Sequence, residues 1–159
     1  YIDLFNEEHA KSHRFLKKLG VEPLSKDFTP DYLVAQTAGK NCSIKAILLD
    51  QTKIAGIGNI YASEALFEAK ISPKRQAKTI KGKRAERLVN SIKSILLRAI
   101  KAGGTSLRNH IQPGGEIGYF VQALQVYSRS GQPCLKCGAV IREIKQSGRT
   151  TFHCRLCQR

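Results

Sequence analysis

Leu48-Leu49-Asp50-Gln51-Thr52-Lys53-Ile54-Ala55-Gly56-Ile57-Gly58-Asn59-Ile60-Tyr61-Ala62-Ser63-Glu64-Ala65 is the stretch on which the reading of this chain turns. It begins as an apolar helical run and passes through a short turn holding two glycines. It re-enters a helix at Asn59, a residue type suited to an N-cap. Glycine at 56 and 58 permits positive φ and lets another chain approach without a Cβ in the way. A helix N-terminus behind such a turn presents unpaired N–H groups and partial positive charge, the geometry of a phosphate site. Taken alone, the turn reads equally well as a tight joint between packed helices, with glycines that serve only packing. The surrounding chain decides between the two.

Working outward, the local signals predict a mainly helical chain. Asn6, Glu7 and Glu8 open a helix expected to reach Lys17, Lys18 and Leu19 and to stop at Gly20. Thr29-Pro30-Asp31 sets a capping residue, a proline at the first helical position and an acid, and opens a helix ending near Gly39. Ser43 caps a third, from Ile44 to Asp50; a fourth is expected from Ile60 to about Ala69, before Ser72-Pro73. The longest runs from Gly82 or Lys83 to Ala102, with Leu88, Ile92, Ile95, Leu96 and Ala99 on one face and Gly103 just past its end. A polar loop follows from Gly103 to about Gly118. Tyr119 to Tyr127 is ambiguous between a short helix and an extended connector.

Charge narrows the function. The 159 residues carry a formal charge of +15, which points to a polyanion, either nucleic acid or an anionic membrane surface. Between Lys70 and Lys101 stand 11 basic residues and one acid, Glu86, so the charge forms a footprint rather than a coating. A charge run of this kind is ordinarily a solvated face; the neighbouring clusters favour nucleic acid. No apolar run approaches the roughly 18–20 residues of a membrane span, and no signal peptide is visible, which favours a cytoplasmic, bacterial-type protein with no membrane partner. The chain opens at Tyr1 and is expected to be a fragment.

The cysteines give the strongest local signal. Cys134-x-x-Cys137 and Cys154-x-x-Cys157 are separated by 16 residues, a spacing at which two thiolate pairs meet at one tetrahedral zinc. Four thiolates close the coordination shell, so the ion is expected to be structural. His153 is then a packing or surface residue rather than a ligand. Ala139–Lys145 and Arg149–Phe152 read as strands around Gln146-Ser147-Gly148, with Lys145, Arg149, Arg155 and Arg159 turned to a phosphate backbone. Cys42, outside the cluster, reads as an inert small residue near a helix start. The architecture expected is a helical domain, residues 1–127, followed by a small β-hairpin zinc finger, residues 128–159.

At this point the residues resemble a known family. Leu49-Asp50-Gln51 with Ala55 to Phe67 is similar to the helix-two-turn-helix of the formamidopyrimidine-DNA glycosylases. Gly118-Tyr119-Phe120, Val126-Tyr127 and the terminal Cys154-Arg155-Leu156-Cys157-Gln158-Arg159 fit the same family. The resemblance implies a monomeric base-excision glycosylase and AP lyase for oxidised purines, such as 8-oxoguanine and formamidopyrimidines, acting on double-stranded damaged DNA. Such an enzyme bends the duplex and flips the lesion, because the target atom is out of reach in the stack. By position, Gly56, Gly58, Asn59 and Tyr61 fall on the DNA-binding turn, and Arg149 grips the same backbone. Thr105, Ser106, Leu107, Arg108, Asn109 and His110 resemble the loop that closes over the lesion, expected to order only on DNA. His110 stands where some relatives carry an aromatic.

In the family the nucleophile is an N-terminal proline amine, followed by glutamate, on a separate β-rich domain. Neither is found here, so this chain is expected to be the inactive DNA-gripping half, with no catalytic residue of its own. Three other readings remain: the sister endonuclease VIII-type class acting on oxidised pyrimidines, a non-catalytic zinc-ribbon module for DNA or RNA, and a ribosome-associated structural protein. The last does not explain Gly56 to Phe67.

Overall fold

A computed structural model of the chain describes residue 13 and residues 16–105 and 120–159. Ser106, Leu107, Arg108, Asn109 and His110 of the expected lesion loop lie outside the described residues, as does most of the expected first helix. Four α-helices are described: α1 (Pro30–Thr37), α2 (Ile44–Leu49), α3 (Asn59–Glu68) and α4 (Lys83–Lys101). The antiparallel strands β1 (Arg142–Gln146) and β2 (Arg149–His153) follow.

Local chemistry sets most of these boundaries. The Thr29 hydroxyl accepts from the Tyr32 N–H at 3.1 Å, and Ser43 accepts from the Ala46 N–H at 3.3 Å, so α1 and α2 start at their expected caps. At the end of α4, Gly103 takes φ of +71°. Its N–H reaches the Ile100 carbonyl at 3.0 Å and that of Gly104 reaches Ala99 at 2.8 Å, which closes a Schellman motif. Leu88, Ile92, Ile95 and Ala99 of α4 are buried, as their spacing requires, and Leu96 is partly buried against them.

Several expectations change. Residues 16–18 form only a 3-10 turn, and Gly20 is no helix terminator. A Cβ there would lie 2.2 Å from the backbone carbonyl carbon of Lys53, because Gly20 and Val21 run against the turn: the Gly20 N–H donates to Gln51 O at 2.8 Å and the Ala55 N–H to Val21 O at 3.1 Å. Gly20→Ala is therefore expected to destabilise the chain by about 2 kcal/mol, since the obstacle is backbone and cannot rotate away. Thermal unfolding checks this.

β1 starts at Arg142 and not at Ala139, because Ala139 to Ile141 pair with the preceding segment instead. The Cys134 N–H donates to Ala139 O at 2.8 Å and the Ile141 N–H to Gln132 O at 2.9 Å. Ser147 and Gly148, at φ of +48° and +71°, make the two-residue turn that matches strand twist. Within the ambiguous segment, Phe120–Ala123 forms a 3-10 turn.

One apolar core joins α1 to α4 through Phe28, Leu33, Leu48, Leu66 and Leu88. A smaller core holds Val126, Cys134, Ile141 and Cys154 together with Phe67, a residue of α3. Phe67 thus anchors the hairpin unit on the helical part. Gln158 strengthens the joint, since its Nε2 donates to Ile71 O at 2.9 Å while its Oε1 accepts from the Cys154 N–H at 2.9 Å. Among the described residues no helix is long and apolar enough to cross a membrane.

Candidate nucleic-acid interface

The glycine turn is held by Gln51, to which the sequence assigned no role. Gln51 Oε1 accepts from the Gly56 N–H at 2.8 Å and its Nε2 donates to Ile57 O at 3.0 Å. Gly56 takes φ of +78°, as expected, but Gly58 is extended at −98°. What Gly58 supplies is open space, since a Cβ there would meet no atom within 4 Å.

Gly58, not Asn59, is the N-cap of α3, and no side chain caps it. Asn59 occupies the first helical position, from which its amide reaches sideways instead of back to the helix. Its Nδ2 donates to Thr150 O on β2 at 2.9 Å, and its Oδ1 accepts from Lys45 Nζ at 2.6 Å. The first turn of α3 therefore has no side-chain cap for its N–H groups.

Lys45 closes the circuit. Its ammonium also donates to Thr151 Oγ1 at 2.6 Å, so one side chain, 1% exposed, joins α2, α3 and β2. Burial first, and the Arg149 guanidinium second, push its pKa down to about 8. Arg149 is exposed at the start of β2, where its positive charge acts on Lys45. Helix terminus, buried lysine and exposed arginine converge on one small region.

Tyr61, on the first turn of α3, meets both stems of the expected lesion loop. Its hydroxyl shares a 2.9 Å hydrogen bond with Thr105 Oγ1, and its ring stands 6.1 Å from that of Phe120. The Phe120 N–H donates to Gly104 O at 3.2 Å. Thr105 and Phe120, which flank the expected loop, are thereby both held against the first turn of α3.

Glu64, 3% exposed on the same helix, accepts backbone N–H bonds from three consecutive residues: Gln125 at 2.8 Å, Val126 at 2.9 Å and Tyr127 at 2.9 Å. It fixes the connector from loop to hairpin. Glu64→Gln replaces one acceptor oxygen by a donor facing an N–H, so a loss of about 2 kcal/mol is expected in urea unfolding.

The basic stretch is divided in use. Arg84 donates to Thr79 O, Arg87 to Ala69 O and Lys93 to Ser25 O, and Arg98 pairs with Glu68. These cations hold the fold together. Arg159 is placed with Lys70 and Ser72 rather than beside Asn59.

The four cysteine sulfurs lie within 4.8 Å of one another, with Cys134 and Cys157 at 3.9 Å and Cys137 and Cys154 at 3.5 Å. A tetrahedral zinc with bonds of about 2.3 Å needs sulfurs about 3.8 Å apart, so the donor set fits one ion. Gly138, at φ of +72°, returns its N–H to Cys134 O at 2.9 Å and makes the first knuckle. His153 is buried and is not part of this set. Cys42 is exposed and apart from it, immediately before the Ser43 cap.

The model of the formamidopyrimidine-DNA glycosylase H2TH domain matches residues 19–110, and that of a zinc finger found in FPG and IleRS matches residues 131–159. The chain belongs to the formamidopyrimidine-DNA glycosylase family. It carries that family's structural zinc site, formed by Cys134, Cys137, Cys154 and Cys157. The formamidopyrimidine-DNA glycosylase of Rhodospirillum centenum is 50% identical over 161 residues, covering 97% of this chain and 55% of the relative. That of Acidiphilium cryptum is 51% identical, covering 96% and 58%. Among solved structures, MutM (Fpg) from Thermus thermophilus superposes with a TM-score of 0.88 at 37% identity, covering 96% of this chain and 57% of that one. Lactococcus lactis Fpg, in complex with DNA containing an abasic site, gives 0.87 at 38% identity, covering 96% and 56%. The chain spans a little over half the length of the relatives it matches.

Sequence reasoning singled out the turn, Asn59, Arg149 and the four cysteines; the structure gathers the cysteines into one metal-type set and bonds Asn59 to the hairpin. Sequence reasoning missed Lys45, Gln51, Glu64 and Thr151. A lysine inside the apolar run Ile44–Leu49 was the one available signal.

Proposed function

We propose that this chain is the part of a base-excision DNA glycosylase and AP lyase that grips and bends duplex DNA, in an enzyme that removes oxidised purines such as 8-oxoguanine and formamidopyrimidines. It acts as a monomer in a reducing, cytoplasmic setting. Gly56, Gly58, Asn59 and Tyr61 present the backbone of the α3 terminus to phosphates flanking the flipped nucleotide, and Arg149 holds the same strand. Residues 105–110, with Arg108, close over the lesion. The sugar is attacked by a Pro-Glu-bearing domain outside these residues. Residues 1–127 and 128–159 are its helical and zinc-finger parts.

One observation carries this reading: the uncapped α3 terminus and the zinc hairpin are bonded to each other through Asn59, Lys45 and Thr150. Two motifs that could serve separate purposes are thereby held as one unit, with the Arg149 charge exposed on β2. The L. lactis relative, in complex with abasic-site DNA, supports the choice of partner.

The test pairs binding with chemistry. A duplex carrying an abasic analogue is expected to bind, with affinity falling steeply as salt rises because phosphates are neutralised. Borohydride is expected to trap no adduct on an 8-oxoguanine duplex, since this reading assigns the attacking amine to the Pro-Glu-bearing domain. A trapped adduct would move the nucleophile into this chain. Binding insensitive to salt would remove the phosphate reading altogether.

A further inference from the structure

At the end of α3 opposite Asn59, about 15 Å along the helix, lies a second cationic concavity. Lys70, Lys136, Leu156, Cys157 and Arg159 line a cavity of about 470 Å³. The phosphate surface makes no use of it.

Its cations are placed by the backbone. Lys70 takes φ of +57° just past the end of α3. Its N–H donates to Phe67 O at 3.0 Å and that of Ile71 to Leu66 O at 2.9 Å. This helix ending ordinarily takes glycine, and a side chain there costs about 1 kcal/mol. Strain of this kind points from an observed outlier toward function. The Arg159 N–H donates to Lys70 O at 3.3 Å, and Arg159 O accepts from the Ser72 N–H at 3.3 Å. The Lys136 ammonium sits 4.9 Å from the centroid of the Phe67 ring.

Beside these cations two leucines face water. Leu156 is 59% exposed, and Leu135, on the other zinc knuckle, is 63% exposed. A phosphate backbone offers charge and no apolar surface, whereas an acidic peptide with an apolar side chain offers both. Of the two acids lining the adjacent cavity, Glu68 is engaged by Arg98 and Glu64 by the backbone N–H groups of Gln125, Val126 and Tyr127.

We infer that this cavity docks an acidic peptide segment of a partner protein, with carboxylates on Lys70, Lys136 and Arg159 and an apolar side chain against Leu156 and Leu135. The surface stands independently of the DNA reading, at the other end of α3.

The probes are a fluorescein-labelled decaglutamate and the same peptide with two glutamates replaced by leucines, titrated onto the zinc-loaded chain. The leucine-bearing peptide is expected to bind about tenfold more tightly, the effect of burying one apolar side chain. Leu156→Ser should erase that preference, and Leu135→Ser provides a second variant on the other knuckle. Lys70→Gly should weaken both peptides about threefold while raising the melting temperature, because it removes a charge and relieves the backbone together. Duplex DNA affinity should be unchanged in these variants. Equal affinity for the two peptides, or no binding of either, overturns the inference. So does a Lys70→Gly protein that loses duplex affinity as much as peptide affinity, since the face would then be a phosphate surface.

Discussion

Removing the zinc should unfold the hairpin and lower duplex affinity about a hundredfold while α1 to α4 remain folded. Structural zinc sites of this kind hold on the order of 10–16 kcal/mol of binding free energy, which becomes folding free energy where no site exists in the unfolded chain. Here the ion stands in for a core too small to hold the unit alone, since that core is Val126, Cys134, Ile141 and Cys154 around a borrowed Phe67. Without it β2 no longer presents Thr150, Thr151 and Arg149 to Asn59 and Lys45. The helical core from Phe28 to Ala99 does not depend on the metal. Chelator titration followed by circular dichroism, with fluorescence anisotropy on a labelled duplex, reads both effects. Cys154→Ser should reproduce them. Unchanged DNA affinity in the zinc-free chain would show that the hairpin has no part in binding.

Truncating Lys45 to alanine should destabilise the protein by about 4 kcal/mol, because a fully buried stem leaves a cavity. Asn59 Oδ1 and Thr151 Oγ1 also lose their donor. Lys45→Met keeps most of the volume and isolates the charge. Its duplex affinity is expected to fall about tenfold, since the α3 terminus and hairpin lose their common tether.

The pH dependence carries a sign. The folded pKa of Lys45 is lowered from 10.5 to about 8, so between those values the unfolded chain holds a proton that the folded chain has released. Stability therefore rises with pH across that window, and below it the full desolvation penalty is present. Lys45→Met should lack this rise in urea unfolding measured on either side of the window. Duplex affinity should move oppositely, weakening in the parent protein as Lys45 loses its charge. A flat stability profile in the parent protein would mean that the amine is not desolvated as its position requires.

Lys45, Glu64 and Gln51 show where sequence reading stops. Each is a polar residue on or beside a short helix, and only for Lys45, set in the apolar run Ile44–Leu49, does the neighbouring sequence hint at burial. Lys45 meets Thr151 across 106 residues, and Glu64 meets Val126 across 62. Asn59 is the instructive case. Its type suits an N-cap, and its position one residue inside the helix turns the same amide toward the hairpin. The cations of α4 make the same point in reverse, since Arg84, Arg87, Lys93 and Arg98 read as a footprint and act largely as internal ties.

By itself the sequence determined the helix starts at Thr29 and Ser43, the Gly103 ending, the hairpin turn at Ser147 and Gly148, and the zinc ligand set. Those features are settled within a few residues, by hydroxyl caps, by positive φ and by thiolate spacing. Only the tertiary structure decided that the α3 terminus stays uncapped, that Asn59 bonds to the hairpin, and that a lysine is buried between them. These depend on which distant polar groups the packed cores bring within hydrogen-bonding reach, where leaving any of them unpaired would cost about as much as the bonds contribute.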